Sequence, residues 1–336
     1  MYLSFSVNLH YKGNVMKKLS AILPLKTKGR HYSDNIARCD ILFSSLRYFS
    51  SPDIFDCFAI IVPDDEFNDV QHYAQAWADF PLKIINENDY FSIFKEFSQR
   101  HQIRGWHRQQ IIKLSAPAFI ENEYFIVFDP DCFATQYFTY DSLIIDGKAL
   151  THYEPRSREE KFWCASSLLL KLPPHLERNG MWWTPAILSR SLCLNLQMQL
   201  EKIYNTDWRR VLLSHYTLDW TEYTLYWLNA EKENLLEKYH ISAPSGYKTL
   251  HVSKSVWFAH DIKKWDSKKC FSNDGKGIFA VIQSNTHISP RYVYKILSQY
   301  FPIHLQPYKK KSDFFLKIAE FYSAITRRFL KLLRRL

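Results

Sequence analysis

Apolar residues in this chain fall into short continuous runs, separated by longer stretches in which they recur every three or four positions. Leu19–Leu25 is the first run; it ends at Lys26 and reads as a strand. Ser33 or Asp34 can cap the helix that follows, with Ile36, Cys39, Leu42, Phe43 and Leu46 as its inner face. Cys57–Val62 is a second run, stopped by Pro63-Asp64-Asp65, and it is followed by a helix around Val70–Trp77 and a short strand Leu82–Ile85. Helical spacing then covers Tyr90–Arg100 and Gly105–Ile120, the latter despite Pro117. Next, the aromatic and β-branched residues Tyr124-Phe125-Ile126-Val127-Phe128 read as a buried strand. This alternation predicts an α/β fold, with a mostly parallel sheet flanked by helices in the first half.

The second half is less regular. Its pattern suggests strands near Ala149–His152, Trp163–Leu170, Val256–Phe258 and Ile278–Ile282, and helices at Ala186–Ile203 and Glu222–Lys238. No Ser/Gly/Pro-rich linker separates the halves and no repeat is visible. The expectation is one two-lobed domain over 16–308, with halves at 16–150 and 151–308 and a distinct tail at 309–336.

Composition narrows the class. Across 336 residues, 46% hydrophobic and 16% aromatic content marks a globular chain with ample core. There are only 8 Gly, and neither Gly-x-Gly-x-x-Gly nor a Walker-type loop occurs, which argues against dinucleotide-binding and P-loop enzymes. The cysteines Cys39, Cys57, Cys132, Cys164, Cys193 and Cys270 form no Cys-x-x-Cys pair, which disfavours a zinc ribbon or a disulfide framework and suits a reducing compartment. No apolar run approaches the roughly 18 residues that span a bilayer. Met16–Leu25 imitates a signal peptide, but its apolar core is short and Lys26, Lys28 and Arg30 follow at once, so a first strand is the better reading. Residues 1–15 then lie upstream of a start at Met16.

Charge adds a feature at the end of the chain. From Lys309 onward there are nine basic residues against Asp313 and Glu320, so this tail carries seven of the ten net positive charges. A nucleic-acid binder would carry its charge on the folded face, so nucleic acid is not expected as a partner. In the tail, Phe315, Ile318, Tyr322, Ile325, Phe329, Leu332, Leu333 and Leu336 fall mostly on one helical stripe, with most of the Arg and Lys residues opposite. Such a helix suits an anionic membrane surface and a cytoplasmic protein held peripherally on the inner face of the cytoplasmic membrane. The alternative is a last helix that docks on the body and leaves a solvated basic face.

The chemistry centres on Asp129-Pro130-Asp131, directly after the buried strand. Proline cannot continue a central strand, so the chain turns there and sets two carboxylates at the strand's C-terminal end. In open α/β sheets ligands bind at that edge. Carboxylate oxygens suit Mn²⁺ or Mg²⁺, which is usually held by one or two carboxylates plus substrate phosphates. The competing reading is an ordinary Asp-rich turn.

The run Gly105-Trp106-His107-Arg108-Gln109-Gln110-Ile111-Ile112-Lys113-Leu114, followed by the strand and Asp129-Pro130-Asp131, resembles the core of bacterial GT-A-type glycosyltransferases. The branch in question is associated with lipopolysaccharide and capsule assembly. Thr184-Pro185-Ala186-Ile187-Leu188, Thr221-Glu222-Tyr223-Thr224-Leu225-Tyr226 and Ile278–Ile282 with Gln283-Ser284 follow in the matching order, so the resemblance spans about Leu19 to Ser298. It implies a GT-A fold and a nucleotide-sugar donor, with a surface glycan or lipid-linked acceptor. It also implies that Asp131 contacts the metal, that Asp129 holds ribose or sugar, and that His260 or His287 completes the metal site.

The residues themselves suggest further roles, each with a plainer competitor. Gln110 and Lys113 lie three apart on one helix and can face the same cleft. Lys113 can meet the donor diphosphate, or be a solvated lysine. Lys26, at the end of the first strand, can approach the nucleotide, or be an ordinary loop lysine. Glu222 is the candidate base for the acceptor hydroxyl. Its competitor is a capping box over Asp219-Trp220-Thr221-Glu222. Trp182 and Trp183, beside Thr184, can form a platform for an acceptor sugar, or belong to the core. The resulting expectation is a metal-dependent glycosyltransferase. A sugar-phosphate or nucleotidyl transferase on the same carboxylates, and a non-catalytic membrane-surface adaptor, are the alternatives.

Overall fold

The computed structural model describes residues 18–29, 32–100 and 105–307. The start at Met16 and the basic tail from Lys309 lie outside the described residues, so the membrane-helix expectation is not addressed by them. Among the described residues no helix is long and apolar enough to cross a membrane.

The parallel strands β1 (Leu19–Pro24), β2 (Phe55–Val62), β3 (Leu82–Asn86) and β4 (Tyr124–Val127) form the expected sheet. Every residue of β1 and β4 is buried, as a parallel sheet covered on both faces requires. Side chains alternate across β1. Leu19, Ala21 and Leu23 enter one core with helix α1 (Asn35–Phe49), while Ile22 enters the other with helix α2 (Gly105–Leu114). α2 stops at Leu114, well short of Ile120, and a short 3₁₀ turn Ala116–Ala118 follows. Pro117 explains this: it has no N–H to donate, and it disfavours α geometry at the residue before it.

Two expectations in the second half are corrected. Trp163–Leu170 is not a strand but part of helix α3 (Glu160–Leu170). Its buried positions Trp163, Ser166, Ser167 and Leu170 recur on the helical turn, and Leu168 between them is 64% exposed. Ala186–Ile203 is not one helix. Ala186–Ser189 is strand β6, which pairs antiparallel with β4 and gives the sheet order β6-β4-β1-β2-β3. Helix α4 (Arg190–Tyr204) begins only after it, where the Ser189 hydroxyl accepts from the Leu192 N–H at 3.1 Å. The expected helix Glu222–Lys238 is shorter, ending as α5 at Lys232. Val256–Phe258 forms only a single bridge, Val256 to Ile282.

A second, three-stranded sheet carries the far wall of the site. Its order is β7 (Thr249–His251), β8 (Gly277–Val281), β5 (Cys132–Ala134), with β5 antiparallel to β8. Asp129-Pro130-Asp131 is therefore the junction where the chain leaves one sheet and enters the other. Helix α6 (Pro290–Leu297) covers this sheet through Val293 and Leu297.

Two histidines are locked inside the fold as neutral groups. The two ring nitrogens of His240 lie 2.8 Å from the Thr151 and Tyr226 hydroxyls, and burial pushes its imidazole down to about 3. Burial, with His152 nearby, does the same to His251, also to about 3. In the unfolded chain both would titrate near 6.5. Below that value the unfolded state takes up protons that the folded state refuses, so the stabilisation is full above 6.5 and is lost as pH falls towards 3. The urea midpoint should therefore drop between about pH 7 and about pH 5, a window that begins before free carboxylates titrate. A midpoint that stays flat or rises across it would contradict the burial of these neutral rings.

Candidate active site

Because β1, β2 and β4 run parallel, their C-terminal ends share one edge, and the cleft lies there. It has two compartments, of about 550 Å³ and about 600 Å³, and Tyr32 and Gln109 line both. The first is lined by Lys26 after β1, Asp64 and Asp65 after β2, Glu87 and Asn88 after β3, and Arg108 on α2. The loop after β1 is shaped by Glu66, whose Oε2 accepts from the backbone N–H groups of Thr27 and Lys28 and from the Thr27 hydroxyl. This leaves Lys26 exposed, its ammonium 5.2 Å from the centre of the Tyr32 ring. Arg108 is ion-paired with the buried carboxylate of Glu87.

The second compartment brings together most of the residues singled out from the sequence: Gln110, Lys113, Asp129, Asp131, Trp182, Trp183, Thr184, Glu222 and His287. α2 supplies Gln110 and Lys113 from one face. Gln110 Oε1 accepts from the Glu222 N–H at 3.2 Å, so this side chain ties the start of α5 to α2. Lys113 is not a solvated lysine. Its Nζ is 3.0 Å from Asp129 Oδ1 and 3.1 Å from Glu222 Oε1, and the side chain is 4% exposed. Burial alone would favour a neutral amine; the two carboxylates override it and hold the ammonium's pKa well above the ordinary lysine value. Glu222, 2% exposed, is pushed up by burial against the opposing pull of Lys113.

The structure also replaces the capping box expected over Asp219–Glu222. The N-cap of α5 is Thr221, whose hydroxyl accepts from the Thr224 N–H at 3.1 Å, while the Thr224 hydroxyl accepts from the Thr221 N–H at 3.3 Å. Glu222 is then the first helical residue, and its carboxylate pairs with Lys113.

Asp131 is oriented from the second sheet. Its Oδ2 accepts from the Ser284 N–H at 2.6 Å. Ser284 sits in the loop after β8. Buried Arg38 of α1 braces that loop by donating to the carbonyls of Ile282 at 3.1 Å and Ile288 at 2.8 Å. Burial and the Asp129 charge push the Asp131 carboxyl up, against the pull of Arg38. His287 closes this loop with a positive φ of 58° and lines the compartment. His260 does not line it; its Nε2 lies 3.1 Å from Asp261. Among the described residues no three His, Cys, Asp or Glu side chains are grouped to hold an ion. Asp129 and Asp131 both line the compartment, and two carboxylates are the number usual for Mg²⁺ when phosphate oxygens and water complete its shell.

Sequence reasoning passed over several lining residues. Trp106 lies four before Gln110 and seven before Lys113, a spacing that already placed it on their face. Phe162 was hidden by the strand expected from Trp163. Ser284 was noticed without a role, and nothing in the sequence linked Arg38 to a loop more than 240 residues away.

A family of unknown function, DUF6492, matches residues 16–305. No curated protein matches the chain. Solved structures that it resembles include apo mouse xyloside xylosyltransferase 1, at 10% identity and a TM-score of 0.46, covering 80% of this chain and 99% of that one. Core-mannan synthase A from Aspergillus fumigatus in its Mn/GDP form is 10% identical, with a TM-score of 0.43 over 65% of this chain and 70% of that one. Galactosyltransferase LgtC in complex with donor and acceptor sugar analogs is 8% identical, with a TM-score of 0.42 over 85% and 98%.

The buried charge cluster can be tested directly. Lys113→Met strands the buried Glu222 carboxylate and takes its partner from the part-exposed Asp129, and breaking a buried pair costs about 3–5 kcal/mol. Adding Glu222→Gln removes one stranded charge and should restore part of the loss. If Lys113→Met unfolds at the wild-type urea midpoint, the ammonium does not hold these segments together.

Proposed function

We propose that this chain, which belongs to the DUF6492 family, is a glycosyltransferase of GT-A type that moves a sugar from a nucleotide-activated donor to a hydroxyl of a glycan or lipid-linked acceptor. The observation that carries the reading is the pair Asp129 and Asp131, set at the junction of two sheets and opening on a two-compartment cleft that Glu222 also lines. A cleft divided in this way suits a bisubstrate reaction. The nucleotide would occupy the compartment lined by Lys26, Asp64 and Asn88, and its diphosphate would reach Asp129 and Asp131 past Tyr32 and Gln109.

Asp129 and Asp131 would hold a Mn²⁺ or Mg²⁺ ion together with the diphosphate, with His287 beside them. A divalent ion bound there neutralises charge on the departing diphosphate. Glu222 is proposed to take the proton from the acceptor hydroxyl as that oxygen attacks the anomeric carbon. Lys113 keeps Glu222 and Asp129 at a fixed separation and is a positioning residue. The basic, apolar-striped tail supports a peripheral position on an anionic membrane and a role in surface-glycan assembly.

Two carboxylates make half of a metal site, so Mn²⁺ alone should shift the melting point little, whereas Mn²⁺ with a nucleoside diphosphate should raise it. Asp131→Asn should abolish that joint shift and leave the fold intact. A folded Asp131→Asn protein with an unchanged joint shift would remove Asp131 from the metal site. Release of a nucleoside diphosphate from the donor would separate glycosyl from nucleotidyl transfer.

Glu222→Gln leaves Lys113 paired with Asp129. If Glu222 is the base, turnover should fall by about 10²–10⁴-fold while donor affinity stays nearly constant. Normal turnover with a lowered melting point would assign Glu222 a structural role alone.

A further inference from the structure

The compartment that contains Glu222 has an aromatic wall that the proposed reaction does not yet use. Trp106, Phe162, Trp182, Trp183 and Trp257 all line it. Trp106 and Phe162 form one group, with ring centres 5.9 Å apart and planes 32° from parallel. Trp182, Trp183 and Trp257 form another; Trp183 meets Trp182 and Trp257 edge-on, each at 5.1 Å. The two groups come from different parts of the fold, α2 and α3 on one side and the loops before β6 and after β7 on the other. Glu222 and the hydroxyl pair Thr184–Tyr223, at 2.8 Å, line the same compartment.

The charge of this compartment is one-sided. Among the described residues its lining carries the carboxylates Asp129, Asp131 and Glu222 and no arginine, and its lysine, Lys113, is already held by two of those carboxylates. The cations Lys26, Lys95 and Arg108 line the other compartment, facing Asp64, Asp65 and Glu87. A phosphate on the acceptor would meet the like charge of Asp129, Asp131 and Glu222, a placement that electrostatics opposes. A pyranose ring instead presents a flat face of C–H groups, which carry slight positive charge, and aromatic faces are negative. Hydroxyls at the ring edge would meet the Thr184–Tyr223 pair and the Glu222 carboxylate.

We infer that the acceptor site takes an uncharged pyranoside, the end of a neutral glycan lying face-on against this aromatic wall, and that a phosphate-bearing acceptor sugar is excluded from it. This rests on the glycosyltransferase reading above and narrows its acceptor to one chemical class.

The test is binding, so it needs no knowledge of the donor sugar. The full chain is saturated with Mn²⁺ and whichever of UDP, GDP or CDP raises its melting point, which fills the diphosphate site. It is then titrated with methyl glycosides of glucose, galactose, mannose and N-acetylglucosamine, and with the matching sugar 1-phosphates. Tryptophan fluorescence and saturation-transfer NMR serve as readouts. At least one methyl glycoside should bind through its ring C–H face, and its 1-phosphate should bind at least tenfold more weakly. Trp183→Ala and Trp106→Ala should each weaken that glycoside by tenfold or more, Trp183→Phe should keep most of the affinity, and all three should retain the nucleotide-induced melting shift, which reports an intact fold and donor site. Tighter binding of the sugar phosphates, no binding of any neutral glycoside, or equal affinity in the alanine variants would overturn the inference and leave the glycosyltransferase reading standing. Absence of any nucleotide-induced shift in the wild type would sink that reading, and this inference with it.

Discussion

A lysine ammonium almost wholly removed from water is tolerable only with negative charge around it, and Lys113 has two carboxylates within 3.1 Å. Each comes from a different part of the fold. Asp129 follows the central strand β4, Glu222 opens helix α5, and Lys113 itself lies near the end of α2. The start of α5 is fixed to α2 a second time, through Gln110 and the Glu222 N–H. Three segments, one of them more than a hundred residues from the other two, therefore have to arrive in one geometry before all of these charges are satisfied. That requirement sets the distance between the carboxylate proposed to meet the donor and the one proposed to meet the acceptor. A catalytic pair held by an internal cation does not depend on bound substrate for its spacing, which is the condition for preorganisation.

Asp131 is controlled by a separate device. Its carboxylate takes the Ser284 N–H, and the loop that presents Ser284 hangs from the Arg38 guanidinium by two backbone carbonyls. Arg38 satisfies the structure twice over: it pairs with groups that would otherwise be buried without partners, and it places positive charge near Asp131. The two halves of the Asp-Pro-Asp motif are thus governed from opposite sides, Asp129 by the first sheet's helices and Asp131 by the second sheet's loop. Pro130 between them marks the point where the chain changes sheets.

The first half of the fold could be read from the sequence because its strands are buried on both faces and its helices are amphipathic, so the apolar period changes cleanly from one element to the next. β1, β2, β3 and β4 stand within a few residues of the expected positions. The failures lie where burial hides the period. KFWCASSLLL reads as a continuous apolar run, yet its serines face the core and Leu168 faces solvent. Ala186-Ile187-Leu188 resembles the first turn of the helix after it, but pairing with β4 overrides local propensity. Site residues followed the same rule. Asp129, Asp131, Gln110 and Glu222 stood out through local context. The pairing of Lys113 with Glu222 did not, because an ion pair across more than a hundred residues leaves no trace in spacing. Glu222 shows the limit most plainly: the sequence offered a cap or a base, and the structure gives the cap to Thr221 and Thr224 and leaves the carboxylate in the cleft.

Aromatic rings and buried charges belong together in such a cleft. Tryptophan and phenylalanine walls exclude water, and in a drier site the interactions among Lys113, Asp129 and Glu222 are stronger than they would be at a surface. The Thr184–Tyr223 hydroxyls and the Glu222 carboxylate, which line the same compartment as these rings, are partners for an acceptor hydroxyl. Apolar surface then does two jobs at once, holding the flat face of the acceptor and raising the electrostatic contrast at its edge. On this view the compartment's selectivity and its chemistry have one physical origin: among the described residues its lysine is held by Asp129 and Glu222, so rings, hydroxyls and carboxylates are what an acceptor sugar meets.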